Sequence, residues 1–152
     1  MIRGGIHGAH LGDVGFKDVR TVDLCAFITI VQGTWGNDAV SNSITGGYMT
    51  LTNSSNTDAD EIEYYISLQK GNYTVRMNYT KGGNGAIVDT YFDGNVILAS
   101  TDMYGSGYNQ STTDTFDVNI SGTYSLKFKI NGKNGASSGY KARIQSMHFM
   151  RT

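Results

Sequence analysis

The sequence predicts an all-β fold, an antiparallel two-sheet β-sandwich of jelly-roll type with a short irregular N-terminal arm. Three observations carry this reading. Glycine is abundant at 20 residues, proline is absent and tyrosine is common at 10 residues. Apolar residues recur at every second position in short blocks, the period of half-buried strands and not of helices. Turn signals rich in Gly, Asn and Asp separate these blocks at the spacing of a sandwich. With 152 residues the chain has the size of one ordinary domain, enough to bury roughly 70% of its unfolded surface around a single core.

Residues 1–20 read as an arm, with five glycines by Gly15, the histidines His7 and His10, and scattered charges without a steady period. Such a segment cannot offset its own ordering entropy, so it is expected to be a flexible tail or to dock on something else. Residues 21–152 read as the sandwich domain. Its first block, "VDLCAFITIV" (Val22 to Val31), is the most hydrophobic. "GTWGNDAVSNSITGGYMTLTN" supplies two weaker strands, around Trp35 and around Tyr48 to Leu51.

In "EIEYYISL", Ile62, Tyr64, Ile66 and Leu68 share one face, with Glu61, Glu63 and Ser67 opposite. After the turn "QKGN", the next strand puts Tyr73, Val75, Met77 and Tyr79 on one face, and the two strands are expected to pair as a hairpin. "KGGNG" reads as a hairpin loop. "AIVDTYF" and "VILAS" then form a further hairpin through a tight turn at Asp93-Gly94 or Gly94-Asn95. "TDMYGSGYNQSTTD" is expected to be a long polar loop, "TFDVNI" a strand alternating Phe116, Val118 and Ile120, and "YSLKFKI" a strand with Tyr124, Leu126, Phe128 and Ile130 inward. The Gly/Ser loop "NGKNGASSG" delivers the last strand, "YKARIQSMHFM".

Composition excludes several function classes. Twelve basic residues balance 13 acidic ones, so no global field recruits nucleic acid or an anionic membrane. The single cysteine, Cys25, permits no internal disulfide and no cysteine-based metal cluster, and its apolar surroundings predict a buried, inert thiol and assembly in the cytosol. The Val22 to Val31 run is well short of the ~20 apolar residues that span a bilayer, and the N-terminus lacks the pattern of a secretion signal. Asn-x-Ser/Thr triplets at Asn53, Asn72, Asn78, Asn109 and Asn119 are expected by chance in so polar a chain.

Enzymatic chemistry finds no support. His7 and His10 have a metal-binding spacing, but glycines surround them and only Asp13 stands nearby as a further ligand. "NTDADEIE" gathers Asp58, Asp60, Glu61 and Glu63 without the regular ligand spacing of a calcium loop, and reads as a solvated loop. Asp89 and Asp93 are a chance acidic pair, and no nucleophile elbow, Walker loop or dinucleotide fingerprint occurs. No catalytic residue, metal or cofactor is expected. His148 alternates within the last strand as a surface or interface residue.

The landmarks Gly71/Tyr73, Lys81, Asn84-Gly85, Asp93-Gly94, Asp102/Tyr104, Lys133-Asn134, Ser137-Ser138-x-Tyr140 and Arg151-Thr152 occur in an order that resembles a β-sandwich module of tailed-bacteriophage structural proteins. That module occurs in head-decoration, head-fibre and tail-appendage proteins. The stretch from Thr34 to Thr152 carries the resemblance; the arm lies outside it. By their own chemistry these landmarks are turn and loop residues, and Ser137 and Ser138 can hydrogen-bond loop backbone. Ending at Arg151-Thr152 suits a strand held inside a sheet, and exposed edges favour covering by a symmetric oligomer.

The resemblance implies a homotrimer and a virion location after assembly in the host cytoplasm. Its first functional expectation is a non-enzymatic capsid decoration protein that stabilises the head shell. The arm residues Ile2, Arg3, Ile6, His7, His10 and Leu11 would grip the major capsid protein or another virion protein, with Phe16 and Val19 bridging to the core. The alternative is a carbohydrate- or receptor-binding module of a head fibre or tail appendage. There Tyr104, Tyr108 and Tyr140, with Asp102, Asn109, Lys133 and Asn134, would form loops that meet a surface glycan or a neighbouring subunit.

Overall fold

The computed structural model describes residues 19–22, 24, 29–40 and 48–152. Among these, the chain forms strands and no helix: β1 (Val19–Thr21), β2 (Thr29–Gln32), β3 (Trp35–Val40), β4 (Tyr48–Asn53), β5 (Glu61–Leu68), β6 (Gly71–Lys81), β7 (Ala86–Phe92), β8 (Asn95–Asp102), β9 (Gly107–Thr112), β10 (Phe116–Val118), β11 (Gly122–Lys133) and β12 (Ile144–Arg151). The two-sheet antiparallel sandwich expected from the sequence is what the chain adopts. One sheet has seven strands in the order β10-β6-β12-β4-β3, with β9 also on β6 and β1 also on β12; the other has five in the order β2-β5-β11-β7-β8. Cys25 and the arm residues Ile2, Arg3, Ile6, His7, His10, Leu11 and Phe16 lie outside the described residues.

The period-2 blocks place the core. Ile62 and Tyr64 of β5, Val88 of β7, and Leu126, Phe128 and Ile130 of β11 face Tyr73, Val75 and Met77 of β6 and Ile144, Met147 and Phe149 of β12, all buried. Each fully buried side chain of this size contributes about 1.5–3 kcal/mol relative to an exposed one. Phe92 packs its ring against Phe116, Tyr124 and Phe149 at centroid distances of 5.4, 5.1 and 5.5 Å. Tyr64 meets Phe128 edge-on and donates its hydroxyl to the Leu24 carbonyl at 3.1 Å.

Strand pairing differs from the sequence expectation at two points. β5 and β6 are not a hairpin: β5 pairs with β2 and β11, whereas β6 pairs with β9, β10 and β12 in the opposite sheet. Both strands bury one face, and the residues Gln69-Lys70 carry the chain across the sandwich, so the two faces meet in the core instead of lying side by side. The "GGNG" turn likewise crosses between sheets, from β6 to β7. The β7–β8 hairpin forms as expected, with Asp93 and Gly94 both at positive φ (48° and 80°), the conformation a tight primed turn requires. β3 and β4 pair along their whole length.

Three further readings are corrected. Tyr108 and Asn109 lie in strand β9, paired with β6, and not in a loop. Ile120 is 73% exposed, because the chain has already left β10 at Val118. Val19 is 51% exposed on β1 and does not bridge to the core.

The last strand is held inside its sheet, as the sequence suggested. β12 pairs with β6 on one side and with β4 and β1 on the other. The Arg151 guanidinium donates to the Lys70 carbonyl at 2.6 Å and the Thr152 amide to the Asn72 carbonyl at 2.9 Å.

Antiparallel pairing sorts the connections onto two ends. One end, rich in loops, gathers the β2–β3 turn (33–34), the β4–β5 loop (54–60), the β6–β7 turn (82–85), the β8–β9 loop (103–106) and the β11–β12 loop (134–143). The other carries the β5–β6 turn (69–70), the β7–β8 turn (93–94) and the β10–β11 loop (119–121).

Candidate functional site

The loop-rich end is built by side chains that bond to the backbone of neighbouring loops. Asp102, the last residue of β8, accepts the Tyr104 amide on Oδ1 at 2.8 Å, an Asx-type turn, and the Asn134 side-chain amide on Oδ2 at 2.9 Å. One carboxylate thereby joins the β8–β9 loop to the β11–β12 loop. Asn134 also accepts the Ala136 amide at 3.0 Å.

Ser137 sits with its hydroxyl 2.8 Å from the Gly85 carbonyl and 2.9 Å from that of Gly139, and Ser138 donates its amide to Gly83 at 3.0 Å. These are the loop-to-backbone bonds expected of the two serines. The turn itself is tight against β8–β9: a Cβ on Gly85 would overlap the Met103 carbonyl. Lys141 donates its amide to the Asn84 carbonyl at 2.8 Å, and Arg143 reaches the Asn84 side chain at 2.6 Å.

Residues that read in the sequence as a chance triplet and a solvated acidic loop hold the β4–β5 loop. Asn53 is fully buried; its amide nitrogen donates to Asp60 at 3.0 Å and to the Tyr140 carbonyl at 2.7 Å, and its oxygen accepts the Ala142 amide at 2.7 Å. Asp60 is not in a solvated loop: it is 1% exposed and also accepts Ser55 at 2.6 Å and the Thr57 amide at 3.2 Å. Asp58 accepts the Gly132 amide at 2.8 Å, and Glu61 is paired with Lys127 at 3.1 Å. The available signal was the density of Asn, Ser and Thr around residues 53–57, which marks capping chemistry without saying what is capped.

The surface of this end is aromatic and polar. Tyr140, half-buried, donates its amide to Asn56 at 2.8 Å and lies under the Lys133 ammonium, 4.9 Å from the ring centroid. Tyr104, half-buried in the β8–β9 loop, is bridged to Gly82. Of the residues singled out from sequence, Asp102, Tyr104, Lys133, Asn134 and Tyr140 meet at this end. Tyr108 and Asn109 divide. Tyr108 pairs with Thr80, 39% exposed on the outer face of the seven-stranded sheet, whereas Asn109 pairs with the buried Tyr79 and faces the other way.

Burial is the largest single influence on the Asp102 carboxyl and pushes its pKa up. The bonds from Asn134 and the Tyr104 amide and the nearby Lys81 charge together outweigh it, so the group lies below the ordinary aspartate value. Asp102 is therefore an anion and an acceptor at neutral pH.

Among the described residues no group of three or more His, Cys, Asp or Glu side chains is placed to hold a metal ion. Asp89 is buried and taken up by the Ser100 amide and the Asn131 side chain, each at 2.6 Å, while Asp93 stands exposed in the β7–β8 turn.

No family model matches the chain, and no curated protein matches it by sequence. Solved structures do resemble it. A Paenibacillus xanthan lyase matches at 23% identity and a TM-score of 0.66, over 82% of this chain and 12% of the lyase, so the chain spans only a small part of that enzyme. The CBM36-1 domain of a multidomain xylanase from the hindgut metagenome of Trinervitermes trinervoides matches at 15% identity and a TM-score of 0.57, over 87% of this chain and 96% of the domain. A carbohydrate-binding module (CBM6cm-2) of Cellvibrio mixtus lichenase 5A, solved with cellotriose, matches at 12% identity and a TM-score of 0.57, over 88% of this chain and 97% of the module. At these identities the shared feature is the fold: the chain is a sandwich of the jelly-roll kind found in carbohydrate-binding modules.

Proposed function

We propose that the protein is a non-catalytic carbohydrate-binding module that takes a glycan at its loop-rich end. One observation carries this reading. Tyr104 and Tyr140 stand with Asp102, Lys133 and Asn134 on loops that are tied to one another before any ligand arrives. Tyrosine rings offer the flat apolar face that sugar rings stack on, and amides, a carboxylate and an ammonium supply the directional bonds that orient hydroxyls. A surface fixed in advance loses little entropy on binding. The near full-length match to carbohydrate-binding modules supports the same reading.

A glycan array followed by calorimetry tests it. Binding of at least one glycan class at millimolar affinity or tighter is expected, weakened tenfold or more by Tyr104→Ala or Tyr140→Ala, with no release of reducing ends. Absence of any glycan binding, or full affinity in both variants, overturns it.

A second reading concerns the setting. The ordered landmarks from Gly71 to Thr152 support a bacteriophage virion protein, a homotrimer that decorates the head by binding the major capsid protein. Co-sedimentation with capsids that lack it tests this: saturable binding lost on removing residues 1–15 supports an arm-anchored decoration protein, and no binding by either form rejects it.

A further inference from the structure

Charge at the loop-rich end is sorted by sign. Four cations belong to this end: Lys81 closes β6, Lys133 closes β11, and Lys141 and Arg143 lie in the β11–β12 loop. The carboxylates that accompany them are turned to the protein's own groups. Asp60 is buried and accepts the Asn53 and Ser55 side chains and the Thr57 amide. Asp58 accepts the Ala59 and Gly132 amides on one oxygen. Asp102 accepts Tyr104 and Asn134, one on each oxygen, with the Lys81 charge nearby. Glu61, at the start of β5, is paired with Lys127 and Lys129. In a chain with slightly more acid than base overall, the charge left for a ligand at this end is positive.

Lys133 is the cation whose setting decides. Its ammonium lies over the Tyr140 ring, 4.9 Å from the centroid. Among the described residues no carboxylate stands within ion-pairing distance of it. The negative face of an aromatic ring holds an ammonium in place without cancelling its charge or supplying acceptors for its N–H donors. The platform is itself fixed, since the Tyr140 amide donates to Asn56 and its carbonyl accepts Asn53. Covered in this way, that face of Tyr140 offers a charge before it offers a stacking surface. A neutral sugar would lie against the ammonium with no counter-charge to give it, whereas a sugar carboxylate would complete the pair with a charge-assisted hydrogen bond.

We infer that the loop-rich end selects acidic glycans, seating the carboxylate of a uronate unit on the Lys133 ammonium beside Tyr140; this rests on the glycan reading above. Lys141 and Arg143 both bond to Asn84, one through its amide and the other through its guanidinium. They extend the positive charge to the β6–β7 turn, so a polymer with acidic units at intervals meets more than one cation.

Calorimetry on the full chain with three sets of probes tests this. The probes are uronate-containing oligosaccharides, the same oligosaccharides with their carboxyl groups reduced to neutral alcohols, and sulfated oligosaccharides without carboxylates. The uronate forms should bind at least tenfold more tightly than their reduced counterparts, and added salt should narrow the gap. Lys133→Gln should bring the two forms to within about threefold of each other, whereas Lys133→Arg, which keeps the charge, should retain the preference. An unchanged denaturation midpoint verifies that each variant is folded. Equal affinity for uronate and reduced forms in the unaltered protein overturns the inference and leaves the glycan reading standing. A preference that survives Lys133→Gln also overturns it, because the carboxylate would then sit elsewhere. Tighter binding of the sulfated probes than of the uronates overturns the choice of carboxylate. Binding of none of the three sets overturns the inference, and the glycan array decides the broader reading separately.

Discussion

Asn53 shows how much one side chain can hold. From the end of β4, its buried carboxamide satisfies a carboxylate, a carbonyl and an amide from two loops. Asn53→Ala leaves the Tyr140 carbonyl and the Ala142 amide without this partner and should cost about 2–4 kcal/mol, read as a lower denaturation midpoint with an unchanged slope. The same burial removes Asn53 as a glycan acceptor, whatever its triplet suggests. Among the described residues, two titrating groups bear on the acid response. Asp102 has a lowered pKa, so its stabilising contribution is complete above the ordinary aspartate value and is lost as pH falls below it. His148 is also lowered, first by burial and then by the Arg76 charge, so it favours the neutral form in the folded state. Its contribution is present above the usual histidine value near 6.5 and declines as pH falls from there. Stability measured against pH should fall in two steps on acidification, and His148→Asn should remove the upper one.

At the scale of elements, the strand blocks were legible because burial has a period. Every inward residue expected in β5 and β6 is buried. The hairpin between them was not legible: alternation reports which face is covered, not which neighbour lies alongside, and a two-residue connection can turn within a sheet or step across to the facing one. Asp93-Gly94 was readable because its turn demands positive φ, which residue type does report. Tyr108 was misplaced because β9 is a polar edge strand, exposed along most of its length, and its sequence has the composition of a loop. At the site, Asp102, Tyr104, Lys133, Asn134 and Tyr140 could be picked out as loop residues, but Asn53 and Asp60 could not, since their role exists only once four loops converge. Gly85 marks that convergence. Gly85→Ala must push the β6–β7 turn away from Met103, and should destabilise by about 2 kcal/mol or more and weaken glycan binding along with it. An alanine variant with native stability in a denaturant titration would contradict the close approach.

For the whole molecule, the proposed glycan surface lies where loops are locked by side-chain bonds, and the opposite end of the sandwich is left open between β10 and the β7–β8 turn. Edge protection bears on assembly. β8 closes one side of the five-stranded sheet and carries register shifts against β7, with Ser100 at a φ of 50°, an irregularity that hinders pairing with another strand. A trimer would therefore not form by adding a strand to β8. Light scattering at micromolar concentration should return three times the 16.5 kDa chain mass if the virion reading holds, and a single chain mass would reject the trimer.

The position of β12 has a consequence for biosynthesis. This strand comes last among those described, yet it sits between β6 and the β1/β4 side of the larger sheet. During translation that sheet has a gap at its centre until residue 151 clears the ribosome, when β12 joins β6, β4 and β1, whose paired residues Met77, Leu51 and Thr21 precede Met147, Ile144 and His148 by 70, 93 and 127 positions. Nascent chains would wait with two unpaired edges facing one another, an interval in which a chaperone, or a neighbouring nascent copy, competes for the vacant place.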